Sequence, residues 1–493
     1  MSAPLTPIAI AGAGPVGLAV ALGLAREGVR SVVLEKAPAP APFARAGVVL
    51  PRTLEIFRSW ELIDELRAAA ITPDSLHVCD ARDGRELAHV DFSLLRDESL
   101  DPAPFFLPQA RTEAILRSAV ERSGYAEIRF GHELVDLAAG DADVRVTVRP
   151  HAEGLTPYDL HAAFLVGADG GTSTVRSRLG INLEGETYPV KVALAVVRID
   201  DARDALPWPR LRFDDDQYLA ALRFAPHRWR VVWTLRAGES DEAALAHQAI
   251  ERRVRSVLGA GPYEVEWASA FHIHRRHAAT FVTGRVVLAG DAAHLNSPVG
   301  GQGMNAGIAD AQNLAWKLAV ALRGGDAERL LESYDAERRS AIVVSVERVT
   351  DRATKLMLAT SPPLRRAAFI AAGALFRLRP LARRALRIGL LLGARYVDSP
   401  ILTGPRRWVG RRAPDPQLAA TGQAVLVLSS TLAGQYQLPP GVLTLIVDEA
   451  RARHWKAPKT FAALVRPDGY VGWFAARPSR EAIEAAVPRA LGF

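Results

Sequence analysis

Hydrophobic positions open the chain in a tight order. Ile8 to Ala11 is a short apolar run, Gly12, Gly14 and Gly17 follow at once, and Leu18, Leu22 and Leu24 then recur at helical spacing. That order predicts a strand, a sharp turn and a helix. A second apolar run, Val32 to Leu34, ends at Glu35, so residues 8–35 read as one βαβ unit. Residues 72–104 are loosely strand-like, and Ala110 to Ser123 is helical with Leu116 and Val120 on one face. Ala163 to Val166 predicts a strand running into Gly167-Ala168-Asp169-Gly170-Gly171.

From about Gly185 to His277 the period shifts to two, with aromatic and β-branched runs such as Trp229 to Leu235. This predicts a mostly antiparallel domain. Strand character returns at Arg285 to Ala289, and a long helix is expected from about Gln302 to Arg323, so the first domain is assembled from separated segments. Pro362 to Val397 reads as helical, rich in Arg and free of Asp and Glu. After the turn-rich stretch Gly410 to Pro416, strands alternate and end in a helix. The clearest unit is a hairpin, Phe461 to Val465, turning on Pro467-Asp468-Gly469 into Tyr470 to Phe474.

Composition narrows the class. With 493 residues, 49% of them hydrophobic, the chain fills more than one core. The net charge of +7 comes mainly from arginine clusters in one stretch, and no nucleic-acid motif accompanies them, so no nucleic-acid partner is expected. The lone cysteine, Cys79, and a first segment without the pattern of a secretory signal favour the cytoplasm. The longest apolar run, Ala367 to Phe376, is about half of the roughly 20 residues a membrane span requires, so no transmembrane segment is expected. The basic, amphipathic stretch Arg365 to Arg395 leaves two readings open: contact with an anionic membrane surface, or packing between domains with arginines at the solvent edge.

Chemistry begins at Gly12-Ala13-Gly14-Pro15-Val16-Gly17, where missing side chains let the backbone turn, approach a pyrophosphate and pack helix on strand. The helix N-terminus offers N–H groups to that phosphate. Glu35, followed by Lys36, stands 18 residues beyond Gly17, where an acid accepts hydrogen bonds from ribose hydroxyls. This predicts a dinucleotide site without choosing between FAD and NAD.

Two later stretches make that choice through a resemblance. Gly167 to Arg176 (Gly-Ala-Asp-Gly-Gly-Thr-Ser-Thr-Val-Arg) and Gly290-Asp291-Ala292-Ala293-His294 each follow a strand. With Pro298-Val299-Gly300-Gly301-Gln302-Gly303-Met304-Asn305 and Asp310 to Leu318, they make the chain resemble the FAD-dependent aromatic hydroxylases, the group of para-hydroxybenzoate hydroxylase. The resemblance implies that Asp169 and Gly170 lie near the FAD pyrophosphate and are linked to NADPH or NADH use. It also implies that Asp291 binds a ribityl hydroxyl and that Pro298 sits beside the flavin edge where oxygen adds. Backbone N–H groups from Gly303 through Met304 to Asn305, with the positive end of the helix, suit the negative charge of reduced flavin, and Gly301 beside them is a further cofactor-binding candidate. Arg45, in Arg45-Ala46-Gly47-Val48, looks like the segment lying over the flavin. Gln109, in Pro108 to Glu113, resembles a glutamine that contacts it. Pro298 and Arg45 are the catalytic candidates.

Other constellations carry less. His272, His274 and His277 share a strand, but no third and fourth ligand accompanies them, so no metal is expected. His294 reads as a hydrogen-bonding residue rather than a base. Trp208, Arg212, Phe213, Tyr218, Arg223, Trp229, Arg230 and Trp233 are the substrate-domain candidates, without a sequence rule for which of them face a cavity. No base for deprotonating a phenol is identified. Residues beyond about 415 look like the thioredoxin-like C-terminal domain of one branch of these hydroxylases, here without cysteines for disulfide exchange.

The expected fold class is therefore α/β. A discontinuous Rossmann-type FAD-binding domain takes residues 1–75, 105–184 and 278–350, and an antiparallel-sheet substrate domain takes 76–104 and 185–277. A helical connection (351–410) and a thioredoxin-like C-terminal domain (411–493) follow. The implied function is hydroxylation of an aromatic or phenolic small molecule with NAD(P)H and O2 through a flavin C4a-hydroperoxide. The rivals are Baeyer–Villiger oxidation or epoxidation with the same cofactor, and a flavin-binding protein without turnover. The Trp-x-Trp-x-Ile-Pro signature of flavin halogenases is absent. A homodimer is left open.

Overall fold

The computed structural model describes residues 6–42, 46–214, 217–298, 300–343, 351, 354–355 and 362–493. Its first sheet runs in the order Val286–Leu288, Tyr158–Gly167, Thr6–Ala11, Ser31–Glu35, Ala126–Phe130, all parallel, with Val282–Thr283 antiparallel at one edge. Thr6–Ala11 and Ser31–Glu35 are almost wholly apolar because helices and sheet cover both of their faces. The helices Pro15–Arg26 and Gln302–Leu322 cross so closely that a Cβ on Gly23 would lie 2.7 Å from that of Ala315. The hairpin His132–Ala139 and Val144–Pro150 joins this sheet beside Tyr158–Gly167. It was not among the elements expected from the sequence, although Val144–Pro150 alternates buried valines with polar residues; only His132–Ala139 alternates weakly.

The second sheet has the order His294–Leu295, Glu264–Ala278, Leu183–Arg198, Arg228–Thr234, Tyr218–Ala225, Arg210–Phe213, Ser75–Asp80, Glu86–Asp91. It is antiparallel except where Arg210–Phe213 meets Ser75–Asp80. Period two decides its faces. Leu219, Ala221, Trp229 and Val231 pack under the helix His247–Leu258 through Ile250, Val254 and Val257. The alternate residues Tyr218, Ala220, Leu222, Phe224, Arg230 and Val232 face a cavity between this sheet and the first.

The stretch expected to be one helical segment from Pro362 to Val397 is two helices, Pro362–Phe376 and Arg379–Gly389. Pro380 favours the break, since proline starts a helix readily and inside one removes a backbone hydrogen bond and crowds the preceding turn. Arg366 is ion-paired to Asp80 and Asp83, Arg383 to Asp97 and Glu98, and Arg387 to Glu98, which ties both helices to the 75–98 region.

The last sheet has the order Leu443–Val447, Val425–Ser429, Phe461–Val465, Val471–Ala476, the first pair parallel and the others antiparallel. The helix Arg480–Leu491 covers one face. A buried polar network joins this unit to the first domain. Arg466 donates to Glu337 at 2.6 and 2.8 Å, Lys317 donates to Glu337 at 2.8 Å, and Asn313 donates to Asp468 at 2.8 Å. Arg466 and Lys317 together hold the Glu337 carboxyl far below the ordinary range against the opposing effect of burial.

Candidate active site

At the nucleotide end, the three glycines of the first turn have different jobs. Gly12 has φ +100, and a Cβ there would lie 2.4 Å from the carbonyl oxygen of Ala168. A Cβ on Gly17 would lie 1.9 Å from that of Gly12. Both are required by close packing of backbone on backbone. At Gly14, by contrast, a Cβ would meet nothing within 4 Å. The space beside it is the cavity, and the first N–H groups of the helix Pro15–Arg26 begin there. Pro15 takes the first helical position, where no N–H is needed. Val16 is wedged between Gly290 and Gly307: a Cβ on either would come within 2.7 and 2.5 Å of its methyl group. Glu35 closes the second strand with its carboxylate fixed beside the turn, accepting the N–H groups of Ala13 (2.8 Å) and Ala37 (2.9 Å). Lys36 lines the cavity next to it.

Further in, the loop after Val286–Leu288 is organised from behind by one buried carboxylate. Asp310 accepts the Gly290 N–H at 3.0 Å, pairs with His294 Nε2 at 2.7 Å, and accepts from Arg338 Nε at 2.7 Å. Burial alone would raise the Asp310 carboxyl, but Arg338 and His294 outweigh it and hold it below its ordinary value. The His294 ring also meets Asn296 at 3.0 Å, so both of its nitrogens are engaged. Asp291, on this loop, is exposed to the cavity. Pro298, Gly300, Gly301, Gly303 and Met304 line the cavity around the N-terminus of Gln302–Leu322. Gly301 has φ +65, and a Cβ there would strike Val48 at 2.2 Å.

Asn305 is buried at the start of the helix Gln302–Leu322. Its side chain accepts the Leu50 N–H (2.8 Å) and donates to the carbonyls of Val48 (3.0 Å) and Gly301 (2.7 Å), so it is turned away from the cavity and knits the 48–50 segment to the helix. Gln109 also acts on the neighbouring segment. Its side-chain oxygen accepts the Ala46 N–H at 3.0 Å, its own N–H donates to the Ala46 carbonyl at 3.2 Å, and its amide donates to Glu113 at 2.8 Å. Arg45, next along that segment, lies outside the described residues. Asp169 and Gly170 line the cavity, and the Asp169 carboxylate caps the short helix Thr174–Arg178 through Ser173 Oγ (2.5 Å) and the Val175 N–H (3.1 Å).

The substrate-domain candidates separate into two groups. Tyr218 and Arg230 line the cavity, and Trp233 touches it from the outer cluster. Trp229 donates to buried Asp204 at 3.1 Å and Arg223 pairs with the same carboxylate at 2.6 Å, so both brace the sheet. Arg212 is bound to Asp214, Phe213 packs in a core with Phe369, and Trp208 meets Phe106 edge-on. Arg230 spans the two halves of the cavity. Its guanidinium lies 4.8 Å over the Phe224 ring and donates to the Ala46 carbonyl at 3.3 Å, and burial pushes its pKa down to about 10. His272 and His274 face the cavity as well, and no cluster of three or more metal-ligating side chains exists among the described residues. Phe369, Phe376 and Leu386 complete the wall from the two basic helices, a contribution that nothing in the sequence pattern had signalled.

The resulting cavity is continuous from Gly14 and Glu35 to Tyr218 and Phe376, with a volume near 1110 Å³. That lies just above the roughly 300–1,000 Å³ of ordinary small-ligand pockets, and the cavity joins the glycine turn to the apolar chamber without a break. The residues at the glycine-lined end suit FAD: a glycine cradle at a helix N-terminus, an acid for ribose, and a second helix N-terminus further in.

Comparison with known proteins agrees. Residues 5–350 match the family model described as FAD binding domain. The chain is 35% identical over 435 residues to a 6-methylpretetramide 4-monooxygenase of Streptomyces rimosus, covering 85% of this chain and 75% of that one. It is 33% identical over 441 residues to a 3-(3-hydroxy-phenyl)propionate/3-hydroxycinnamic acid hydroxylase of Burkholderia cenocepacia, covering 87% and 78%. The solved structure of an anhydrotetracycline hydroxylase from Streptomyces rimosus superposes with a TM-score of 0.80 at 30% identity over 99% of each chain. By sequence, fold and the construction of its cavity, the chain belongs to the FAD-binding family of flavin-dependent aromatic monooxygenases.

Proposed function

We propose that this protein hydroxylates a multi-ring phenolic compound, taking electrons from NADPH or NADH and one oxygen atom from O2. The observation that carries this reading is the single cavity that joins the dinucleotide cradle to an apolar chamber walled by Tyr218, Leu222, Phe224 and Phe376. Similarity over nearly the whole chain to a hydroxylase of anhydrotetracycline supports a multi-ring substrate over a single-ring acid. FAD, when bound, supplies the redox chemistry and the activation of oxygen. The chain positions, desolvates and polarises.

In this reading the Gly12–Gly14 turn and the helix after Pro15 receive the pyrophosphate, with Asp169 and Gly170 alongside. Glu35 receives the adenosine ribose, Lys36 flanks it, and Asp291 receives a ribityl hydroxyl. N–H groups at Gly303, Met304 and Asn305 polarise the pyrimidine edge, and Pro298 flanks the reacting side of the ring. Gln109, through Ala46, sets the segment that carries Arg45. The first sheet with its helices is the FAD-binding domain, the second sheet the substrate domain, and residues 411–493 a thioredoxin-like unit serving as a brace.

Anaerobic stopped-flow tests this. NADPH and NADH are mixed with the holoenzyme and the loss of flavin absorbance is followed with and without single-ring and multi-ring phenols. Acceleration by a multi-ring phenol is the expected result. If neither nucleotide reduces the flavin under any condition, the reading is wrong.

A further inference from the structure

Twelve large hydrophobic residues are exposed among the described residues, and six of them belong to one short stretch: Leu364, Ile370, Leu375, Leu378, Leu381 and Ile388, each 38–56% exposed. Single exposed leucines are ordinary, whereas a contiguous set marks a surface that meets something apolar. The helix Pro362–Phe376 is inverted relative to a solvent-facing helix. Every exposed position described on it, from Pro363 to Leu375, is apolar, while Arg366 is turned inward to Asp80 and Asp83. On Arg379–Gly389, Leu381 and Ile388 lie seven residues apart on one exposed stripe, opposite the buried Ala382 and Leu386. Arg377, Arg379 and Arg384 are exposed at its edge, and residues 362–397 contain eight arginines and no acidic residue.

We propose that this face docks on an anionic membrane surface, its leucines entering the boundary between headgroups and acyl chains and its arginines meeting lipid phosphates. The apolar stripe with a basic edge is the chemistry of an interfacial helix, and no helix among the described residues is long and apolar enough to cross the bilayer. A second copy of the chain fits less well, because a two-fold contact of this patch with itself would set arginine edges against each other. The inner side of the same two helices carries Phe369, Phe376 and Leu386 in the cavity wall. Docking therefore leaves about one helix diameter, roughly 10 Å, between lipid and cavity. The inference stands apart from the proposed reaction, since it is tested without turnover.

The test is sedimentation of the holoenzyme with vesicles of equal parts phosphatidylglycerol and phosphatidylcholine, and with vesicles of phosphatidylcholine alone. Binding to the anionic vesicles is expected, weakening at least about tenfold when salt is raised well above physiological strength. The double variant Leu375→Glu/Leu381→Glu and, separately, Arg377→Glu/Arg384→Glu are expected to lose this binding while keeping bound flavin and thermal midpoint. None of the four residues lines the cavity, and the arginine pair keeps the test valid if the leucine pair does not fold. Failure to sediment with anionic vesicles overturns the proposal, as does equal binding to both kinds. A concentration-dependent dimer that the leucine variant abolishes, without vesicle binding, would show that a second copy covers the face.

Discussion

The two ends of the cavity are built from different materials. At the dinucleotide end the wall is main chain: Gly12, Gly14, Gly170, Gly301 and Gly303 bring backbone to the surface, and two of these positions, Gly12 and Gly301, leave no room for a methyl group. At the other end the wall is side chain: Tyr218, Leu222, Phe224 and Val232 from alternate positions of two strands, with Phe369 and Phe376 from helices opposite. A wall of main chain receives one ligand shape and admits little variation. A wall of side chains is redrawn by each substitution without disturbing the frame.

The largest expected effect lies behind the main-chain end. Asp310→Asn leaves the Arg338 guanidinium buried beside an uncharged partner, and loss of one member of such a pair costs about 3–5 kcal/mol. Urea denaturation should show that loss, and bound flavin should fall with it even though Asp310 never touches the cavity. The pH dependence has a definite sign. The Asp310 carboxyl is held below its unfolded value, so its contribution is complete above the ordinary carboxylate range and disappears as pH falls through it towards the folded value. The variant should therefore lack part of the acid limb of the wild-type stability curve. If the two proteins lose stability in parallel below pH 5, the carboxylate does not hold the loop as described.

Next in size is Gly12→Ala. A residue with a Cβ at φ +100 carries about 1–3 kcal/mol of strain, and the clash with the Ala168 carbonyl displaces the Gly167–Gly171 turn besides. Titration of the apoprotein with FAD should give an affinity lower by about tenfold to 100-fold, with the fold retained. Gly14→Ala sharpens the point, because its Cβ meets only the space reserved for ligand. It should leave stability unchanged and still weaken FAD. Equal FAD affinity in Gly14→Ala and wild type would mean that the dinucleotide does not pass over this turn.

These contrasts also explain what the sequence disclosed. Glycines needed for close backbone approach leave a fixed spacing that a reader can recognise, so Gly12, Gly14, Gly17 and Glu35 were legible together with the elements around them. Asp310 was visible only as one letter of a longer motif. Its role depends on Arg338, 28 residues further along, and on His294, 16 residues back, pairings made by helix packing that no local spacing records. Asn305 was read for its backbone N–H, and no local spacing records that its side chain holds the 48–50 segment, 255 residues away from Leu50 in sequence. Seven of the eight aromatic and basic candidates, all but Trp208, lie on strands of the second sheet, and period two could pair these into faces but not say which face the helix His247–Leu258 would cover. Pro362–Phe376 contributes to the cavity across hundreds of residues of chain, so Phe369 and Phe376 carried no signal at all.

The smallest effect, and the most informative for substrate choice, belongs to Leu222. It is half-buried in the centre of the side-chain wall, between Ala220 and Phe224 on the same face, and it touches no part of the dinucleotide end. Leu222→Phe narrows the chamber and Leu222→Ala widens it, each by three carbons, of which about half make contact at this half-buried position, near 1–1.5 kcal/mol or up to about tenfold. Multi-ring phenols should lose that factor in kcat/KM with the Phe variant, and single-ring phenols should gain relative to them; the Ala variant should shift preference the other way. FAD affinity and the rate of reduction without ligand should stay at wild-type values in both, since the main-chain end is untouched. A change of FAD affinity comparable to the change in substrate preference would show that the two walls are coupled and that the division between them does not hold.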